Sequence, residues 1–356
     1  MSNEITILQD KAINLLKELI ATPSFSREED NSSALLKNFL LANGIAAEQY
    51  LYNIWVKNKN FDPAKPSILL NSHHDTVKPN KGYTIDPFSP IEKEGKLYGL
   101  GSNDAGGSLV SLIAVFLHFY ERDDLDYNLV LAATAEEEIS GNNGIEVLLP
   151  QLGEISFGIV GEPTQMQMAV AEKGLMVLDC TSHGKAGHAA RNEGDNAIYK
   201  ALKDIEWFNS FQFSKVSDLL GPNKMSVTVI ETENKAHNVV PAHCKFVVDT
   251  RVNELYSFEE VIDIIQSNVE CEVKPRSTRL RSTSIALDHP LVKSGLNLHR
   301  TYYGSPTTSD KALMHFPTLK IGPGDSARSH TADEYIYVDE IKEGIDLYIK
   351  LLKQLL

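Results

Sequence analysis

Five side chains spread along the chain, His73, Asp104, Glu138, Glu162 and His330, offer imidazole nitrogen and carboxylate oxygen in a mixture that suits zinc, with cobalt or manganese as substitutes. Ser72, His73, His74 and Asp75 follow directly on the apolar run Ile68 to Leu70. Residues two apart on an extended chain project to one side, so Asp75 can hold the ring of His73; a solvated turn is the plainer alternative. Glu136, Glu137 and Glu138 follow another apolar run, and adjacent carboxylates repel unless a cation or shared protons relieve them. A metal explains the triplet economically, whereas an acidic triplet on an open surface is usually a solvated face.

Asp104 lies among Gly99, Gly101, Gly106 and Gly107, where the backbone can turn tightly. The stretch has neither the G-x-x-x-x-G-K pattern nor a G-x-G-x-x-G after a strand, which argues against a nucleotide cradle. Gly161-Glu162-Pro163 adds one more carboxylate after an apolar run. His330 stands in Ser329 to Asp333, behind the turn-rich Gly322-Pro323-Gly324.

These residues need a scaffold. Ile5 to Ile20 repeats apolar residues at helical spacing and stops before Pro23, and Ser26 with Glu29 predicts a capping box for a second helix ending at Gly44. The apolar runs Ser67 to Leu70, Asn128 to Ala132 and Phe157 to Val160, interleaved with the apolar helix Ser108 to Phe119, indicate an α/β domain. In open α/β sheets ligands gather beyond the carboxyl ends of the strands, which is where the polar residues above fall. From about Lys173 the pattern becomes strand, helix, strand, strand, helix, strand, a split β-α-β unit. Ser257 with Glu260 predicts a cap for its second helix. The division expected is a discontinuous catalytic domain, 1–172 with 284–356, interrupted by an inserted domain, 173–283. Val338 to Leu356 reads as a closing helix.

At 356 residues, 42% apolar and 23% charged, the chain is long enough for two cores and lies outside the disordered range. A net charge of -14 without clustered Lys and Arg speaks against nucleic acid as a partner. The longest apolar helix candidate is too short to span a bilayer, and Met1 to Lys11 lacks a basic stretch followed by an apolar one, so a cytoplasmic protein without a membrane partner is expected. Cys180, Cys244 and Cys271 show no Cys-x-x-Cys pairing and read as small core residues.

Six motifs in order, SHHDTV, GSNDAGG, TAEEE, GEPT, GKAGHAA and SHTADE, make the chain resemble the metallopeptidase family of acetylornithine deacetylase, succinyl-diaminopimelate desuccinylase, aminoacylase and carboxypeptidase G over nearly its whole length, acetylornithine deacetylase above all. The resemblance implies a zinc-peptidase-like catalytic domain, a mixed sheet with helices on both faces, carrying a ferredoxin-like α+β dimerisation or lid domain. It implies two Zn2+, with His73 and Glu162 on one, Glu138 and His330 on the other, and Asp104 between them. Glu137 becomes the general base and Asp75 the partner of His73. His188 would steady the oxyanion from the opposite subunit of a homodimer, and Asn238 and Arg251 would hold the substrate carboxylate. Two departures stand out: Glu136 replaces the family's aspartate, and Ala105-Gly106 replaces its Met-Lys pair.

The activity implied is metal-dependent hydrolysis of an N-acyl amino acid, first N-acetylornithine, with N-succinylornithine and N-acetylcitrulline close behind, as a step of arginine biosynthesis. A di- or tripeptidase of the same family, or a non-catalytic metal-binding homologue, are the alternatives.

Overall fold

A computed structural model describes residues 3–191 and 193–356; Met1 and Ser2, which open the predicted amino-terminal stretch, lie outside the described residues. The chain divides into two compact units.

Unit 1 comprises Met1–Val170, Ile285–Tyr303 and Ser309–Leu356. Its sheet places the strand Ser67–His73 between Asn128–Thr134 and Phe157–Val160, parallel to both, and Thr318–Lys320 runs parallel to Phe157–Val160 on the far side. Asn53–Lys57 adds to Asn128–Thr134 antiparallel and Glu48–Tyr50 to Asn53–Lys57, so the sheet is mixed. The strands Ser67–His73 and Asn128–Thr134 are buried at every position, which is why each reads as a continuous apolar run rather than an alternation.

The helix Gly107–Phe119 is apolar almost all round because it is covered on several sides: it packs on the strand Ser67–His73 and on the helices Asn3–Ile20 and Val338–Leu352. Leu16, Leu109 and Ile345 are fully excluded from water in this layer, and truncating one of them to alanine would cost about 2–5 kcal/mol. No helix among the described residues is long and apolar enough to cross a membrane.

The capping box expected from Ser26 and Glu29 does not form. The second helix is Asp30–Ala42, with Glu29 at its N-cap making no side-chain cap. Both side chains are engaged elsewhere: Ser26 Oγ donates to Asp75 Oδ2 at 2.7 Å, and Glu29 Oε1 accepts the backbone N–H of Glu136 at 3.1 Å. Long-range hydrogen bonds next to the acidic triplet override the local motif.

Unit 2 comprises Ala171–Ser284 and Gly304–Thr308. Its antiparallel sheet runs in the order Lys224–Glu231, His243–Val252, Gly174–His183, Glu272–Pro275, with the helices Ala197–Ser210 and Phe258–Gln266, the β-α-β-β-α-β succession of a split β-α-β unit. Burial alternates along Gly174–His183, and Met176, Leu178 and Cys180 face a core shared with Phe208, Phe246 and Phe258. Ser257 and Glu260 do form their capping box. Sequence patterning leaves 304–308 with the carboxy-terminal part; Ser305 O accepts from Lys173 N at 3.1 Å, and Thr308 Oγ1 donates to Lys173 O at 2.8 Å. Cys180, Cys244 and Cys271 are buried free thiols.

Candidate active site

At the carboxyl ends of the parallel strands the chain leaves the hydrogen-bonded ladder, and side chains there can converge. His73 closes its strand in register with Thr134, the last residue of the neighbouring strand, and Glu137 and Glu138 lie in the turn beyond Thr134. Glu162 lies just beyond Val160, which is in register with Asn71. Asp104 is presented by a wide turn, Ser102–Gly106, at the start of the helix Gly107–Phe119. Gly101 opens that turn at φ 73°, where a Cβ would stand 2.5 Å from Thr76 Cγ2, so glycine is needed for both conformation and space. His330, at φ 59°, lies in the loop after the short helix Ser326–Arg328.

All five expected ligands are thereby gathered in unit 1. His73 Nε2 is 3.4 Å from Asp104 Oδ1, 3.9 Å from Glu162 Oε1 and 4.0 Å from Glu137 Oε2. His330 Nε2 is 2.9 Å from Glu138 Oε2 and 3.7 Å from Asp104 Oδ2. Asp104 thus turns one oxygen toward each imidazole. Donors about 2.0–2.1 Å from a tetrahedral zinc stand about 3.4 Å apart; the His73–Asp104 separation of 3.4 Å matches such an edge, and the other four lie on either side of it, from 2.9 to 4.0 Å. The closest pair, Glu138 and His330, hydrogen-bond directly.

The set fits divalent cations on a second ground. Among the described residues, the buried atoms without a hydrogen-bond partner include His73 Nε2 and Glu138 Oε1, and both residues belong to this cluster. An unsatisfied buried acceptor costs about 1–3 kcal/mol, a cost that coordination would remove. His73, Asp104 and Glu138 form one group of converging donors, and His73, Glu137 and Glu162 another.

The electrostatics follow from crowding. Burial, then the charges of Glu162, Asp310 and Glu138, push the Glu137 carboxyl well above the usual carboxylate range, with His73 opposing. Burial also raises Glu138, against the pull of its His330 hydrogen bond. His330 is lifted to about 9, chiefly by that bond to Glu138. Burial works against a charged His73, but Asp104, Asp75, Glu137 and Glu162 outweigh it and hold its pKa high.

Asp75 does more than the sequence implied for it. The nearest partner of His73 Nδ1 is the Asp75 carbonyl, at 3.0 Å, with the Asp75 carboxylate at 3.5 Å. That carboxylate accepts the backbone N–H of Glu137 at 3.0 Å and of Glu138 at 3.2 Å. Glu136 turns away from the ligands; its carboxylate accepts from Asn143 Nδ2 at 2.8 Å and ties the following loop.

Two buried carboxylates near the ligands escaped the sequence reading. Asp310 accepts from Thr134 Oγ1 at 2.7 Å, and Glu334 accepts backbone N–H groups of the turn that carries Asp104. Glu334 follows His330 by four residues, the one hint that sequence offered.

His188, Asn238 and Arg251 belong to unit 2. Gly187–His188 pairs with Val239–Val240, and Asn238 O accepts from Ala189 N at 2.9 Å, so His188 and Asn238 are neighbours. His188 is exposed, and its Nδ1 accepts from Ala190 N at 3.1 Å, which leaves the proton of the neutral ring on Nε2. Arg251 makes a two-point ion pair with Asp249, 2.7 Å from Nε and 3.0 Å from Nη2.

Known proteins agree with this architecture. Succinyl-diaminopimelate desuccinylase 2 of Ruegeria sp. (strain TM1040) is 23% identical over 380 residues, covering 96% of this chain and 94% of its own. Among solved structures, a tripeptidase from Staphylococcus aureus superposes with a TM-score of 0.79 at 20% identity, covering 98% of each chain. The Bacillus subtilis YXEP protein, described as a dinuclear metal binding peptidase, superposes with a TM-score of 0.70 at 13% identity, covering 97% of this chain and 98% of its own. The family description "Peptidase family M20/M25/M40" matches residues 69–354, and the chain belongs to that family of metal-dependent hydrolases.

Proposed function

We propose that this protein hydrolyses the amide of an N-acyl amino acid, with N-acetylornithine first and N-succinylornithine or N-acetylcitrulline next. The observation that carries the reading is Glu137, a part-buried carboxylate that converges with His73 and Glu162 and whose proton affinity is raised well above the usual carboxylate range by its removal from water. His73, Asp104 and Glu162 would hold one Zn2+, and Glu138, His330 and Asp104 the other, with Co2+ or Mn2+ as substitutes.

When bound, such a pair would supply Lewis acidity, polarising the scissile carbonyl and making the attacking water more acidic. Glu137 takes one proton from the attacking water and delivers it to the departing nitrogen. The carbonyl carbon gains the hydroxyl, the C–N bond breaks, and a carboxylic acid and a free amine result. Asp75 keeps Glu137 and Glu138 in place through their backbone. His188 is assigned to the developing oxyanion in the site of the opposite subunit of a homodimer, and Arg251 and Asn238 to the substrate carboxylate.

We assign a homodimer to the exposed edge of the unit 2 sheet. The edge strand Lys224–Glu231 leaves Val229 and Ile230 about half exposed, and Tyr199 and Leu202 are exposed on the helix Ala197–Ser210. A two-fold axis there would pair the two edges antiparallel.

The deciding experiment is release of free amine by zinc- or cobalt-loaded protein from acetyl and succinyl forms of ornithine, citrulline, lysine and diaminopimelate, beside a set of di- and tripeptides. Preference for an acylated amino acid is expected. Faster cleavage of peptides would make the protein a peptidase, and metal binding with no turnover on any of them would make it a non-catalytic homologue.

A further inference from the structure

Asp104 must place one oxygen toward each metal position, so its location sets whether two cations can be held together. Yet Asp104 stands on a turn, Ser102–Gly106, whose backbone departs from helical angles at Asp104 and Ala105. In such a turn the local main chain does not supply acceptors for every N–H, and a buried N–H without a partner is costly. The acceptors come from Glu334. Its Oε1 receives the N–H of Asn103 at 2.8 Å and of Asp104 itself at 2.9 Å, its Oε2 receives that of Gly101 at 3.1 Å, and its carbonyl receives that of Gly99 at 3.0 Å. The Glu334 side chain is buried, so water cannot substitute for these bonds.

Resting on the two-metal reading above, we propose that Glu334 is a positioning residue for Asp104: by gripping the backbone at the aspartate and along the residues that lead into it, it fixes the bridging carboxylate where a pair of cations can share it. Glu334 touches neither cation nor substrate. One short loop therefore supplies His330, through its side chain, and the clamp on Asp104, four residues later. Displacement of a site group by about 1 Å is enough to cost roughly a hundredfold in rate, so a clamp on main-chain atoms has leverage that its distance from the reaction conceals.

The bonds separate the variants. Glu334→Gln keeps an oxygen at Oε1 for Asn103 and Asp104 and loses only the Gly101 contact. Glu334→Asp keeps the charge but withdraws the carboxylate by one methylene, and Glu334→Ala removes it. Each full-length protein is freed of metal, titrated with Mn2+ alone and followed by electron paramagnetic resonance, in which two ions sharing a bridge give an exchange-coupled spectrum. Wild type and Glu334→Gln are expected to show the coupled pair at two equivalents. Glu334→Asp and Glu334→Ala are expected to bind the second equivalent at least tenfold more weakly and to show isolated Mn2+.

A coupled pair in Glu334→Asp overturns the proposal, and so does a Glu334→Gln variant that loses the pair as fully as Glu334→Asp. Should Glu334→Ala fail to fold, the comparison of Gln with Asp decides. Absence of a coupled pair in the wild type would instead overturn the two-metal reading.

Discussion

The Asp75 carboxylate accepts the backbone N–H of Glu137 at 3.0 Å, so the strand end that carries His73 also holds the main chain of the proposed base. The same carboxylate reaches Glu138 N and Ser26 Oγ, which makes Asp75 a junction between three segments. Replacing it with alanine leaves two N–H groups without their acceptor, at about 1–3 kcal/mol each. Asp75→Ala is expected to lower kcat by at least tenfold with KM nearly unchanged, and Asp75→Asn to lose less. A steady-state comparison of the two variants measures this.

Glu137→Gln keeps the shape of the site and removes the proton acceptor. General base catalysis contributes about a hundredfold to ten-thousandfold, and kcat should fall by that amount. Metal content by elemental analysis should stay at the wild-type value. Full activity in a metal-loaded Glu137→Gln sample would mean another group takes the proton.

His74 points away from the ligands: its Nδ1 is 2.9 Å from Ser32 Oγ and its Nε2 3.0 Å from Tyr52 O. Burial disfavours its charged form and lowers its pKa to about 4 from 6.5. Between those values the unfolded chain binds the proton and the folded one does not, so the contribution is complete above the unfolded pKa and is lost as pH falls through the folded one. At about 1.36 kcal/mol per pKa unit this amounts to about 3 kcal/mol. Urea unfolding from pH 7 to pH 4 should show that loss, and His74→Gln should flatten the curve over this window.

Removing the cations should expose the repulsion among Asp104, Glu137, Glu138 and Glu162. A ligand held at a hundred times its Kd stabilises the folded state by about 2.7 kcal/mol. A chelator is therefore expected to lower the thermal midpoint by several degrees, and added Zn2+ to restore it. A midpoint indifferent to both, measured by calorimetry, would speak against metal in this cluster.

A charge on the exposed edge strand should block pairing of two sheets. Ile230→Lys combined with Leu202→Glu is expected to yield monomers by light scattering, with an unaltered circular dichroism spectrum.

The five candidate ligands were legible because each follows an apolar run or a glycine-rich turn, and fully buried parallel strands leave that signature whatever their tertiary partners. The split β-α-β unit was legible too, since one face of its sheet is covered and the alternation survives along Gly174–His183. What escaped depended on distant atoms. Ser26 and Glu29 carry a sound capping pattern, yet stronger partners at Asp75 and Glu136 claim both side chains. Glu334 accepts from a donor 230 residues upstream, and its place at the end of SHTADE, four residues after His330, does not show which backbone it holds. Strands of three residues, Ile91–Lys93, Lys96–Tyr98 and Tyr335–Tyr337, are too short to show a period.

The parallel pairing of Thr318–Lys320 with Phe157–Val160 joins segments separated by the whole of unit 2. During synthesis, the strand Phe157–Val160 emerges long before its partner, and His330 and the Glu334 clamp emerge later still. Closing so long a loop is entropically expensive and slow, so the candidate ligands can converge only after the segment that carries His330 and Glu334 has been made, well after the strands that present His73 and Glu162.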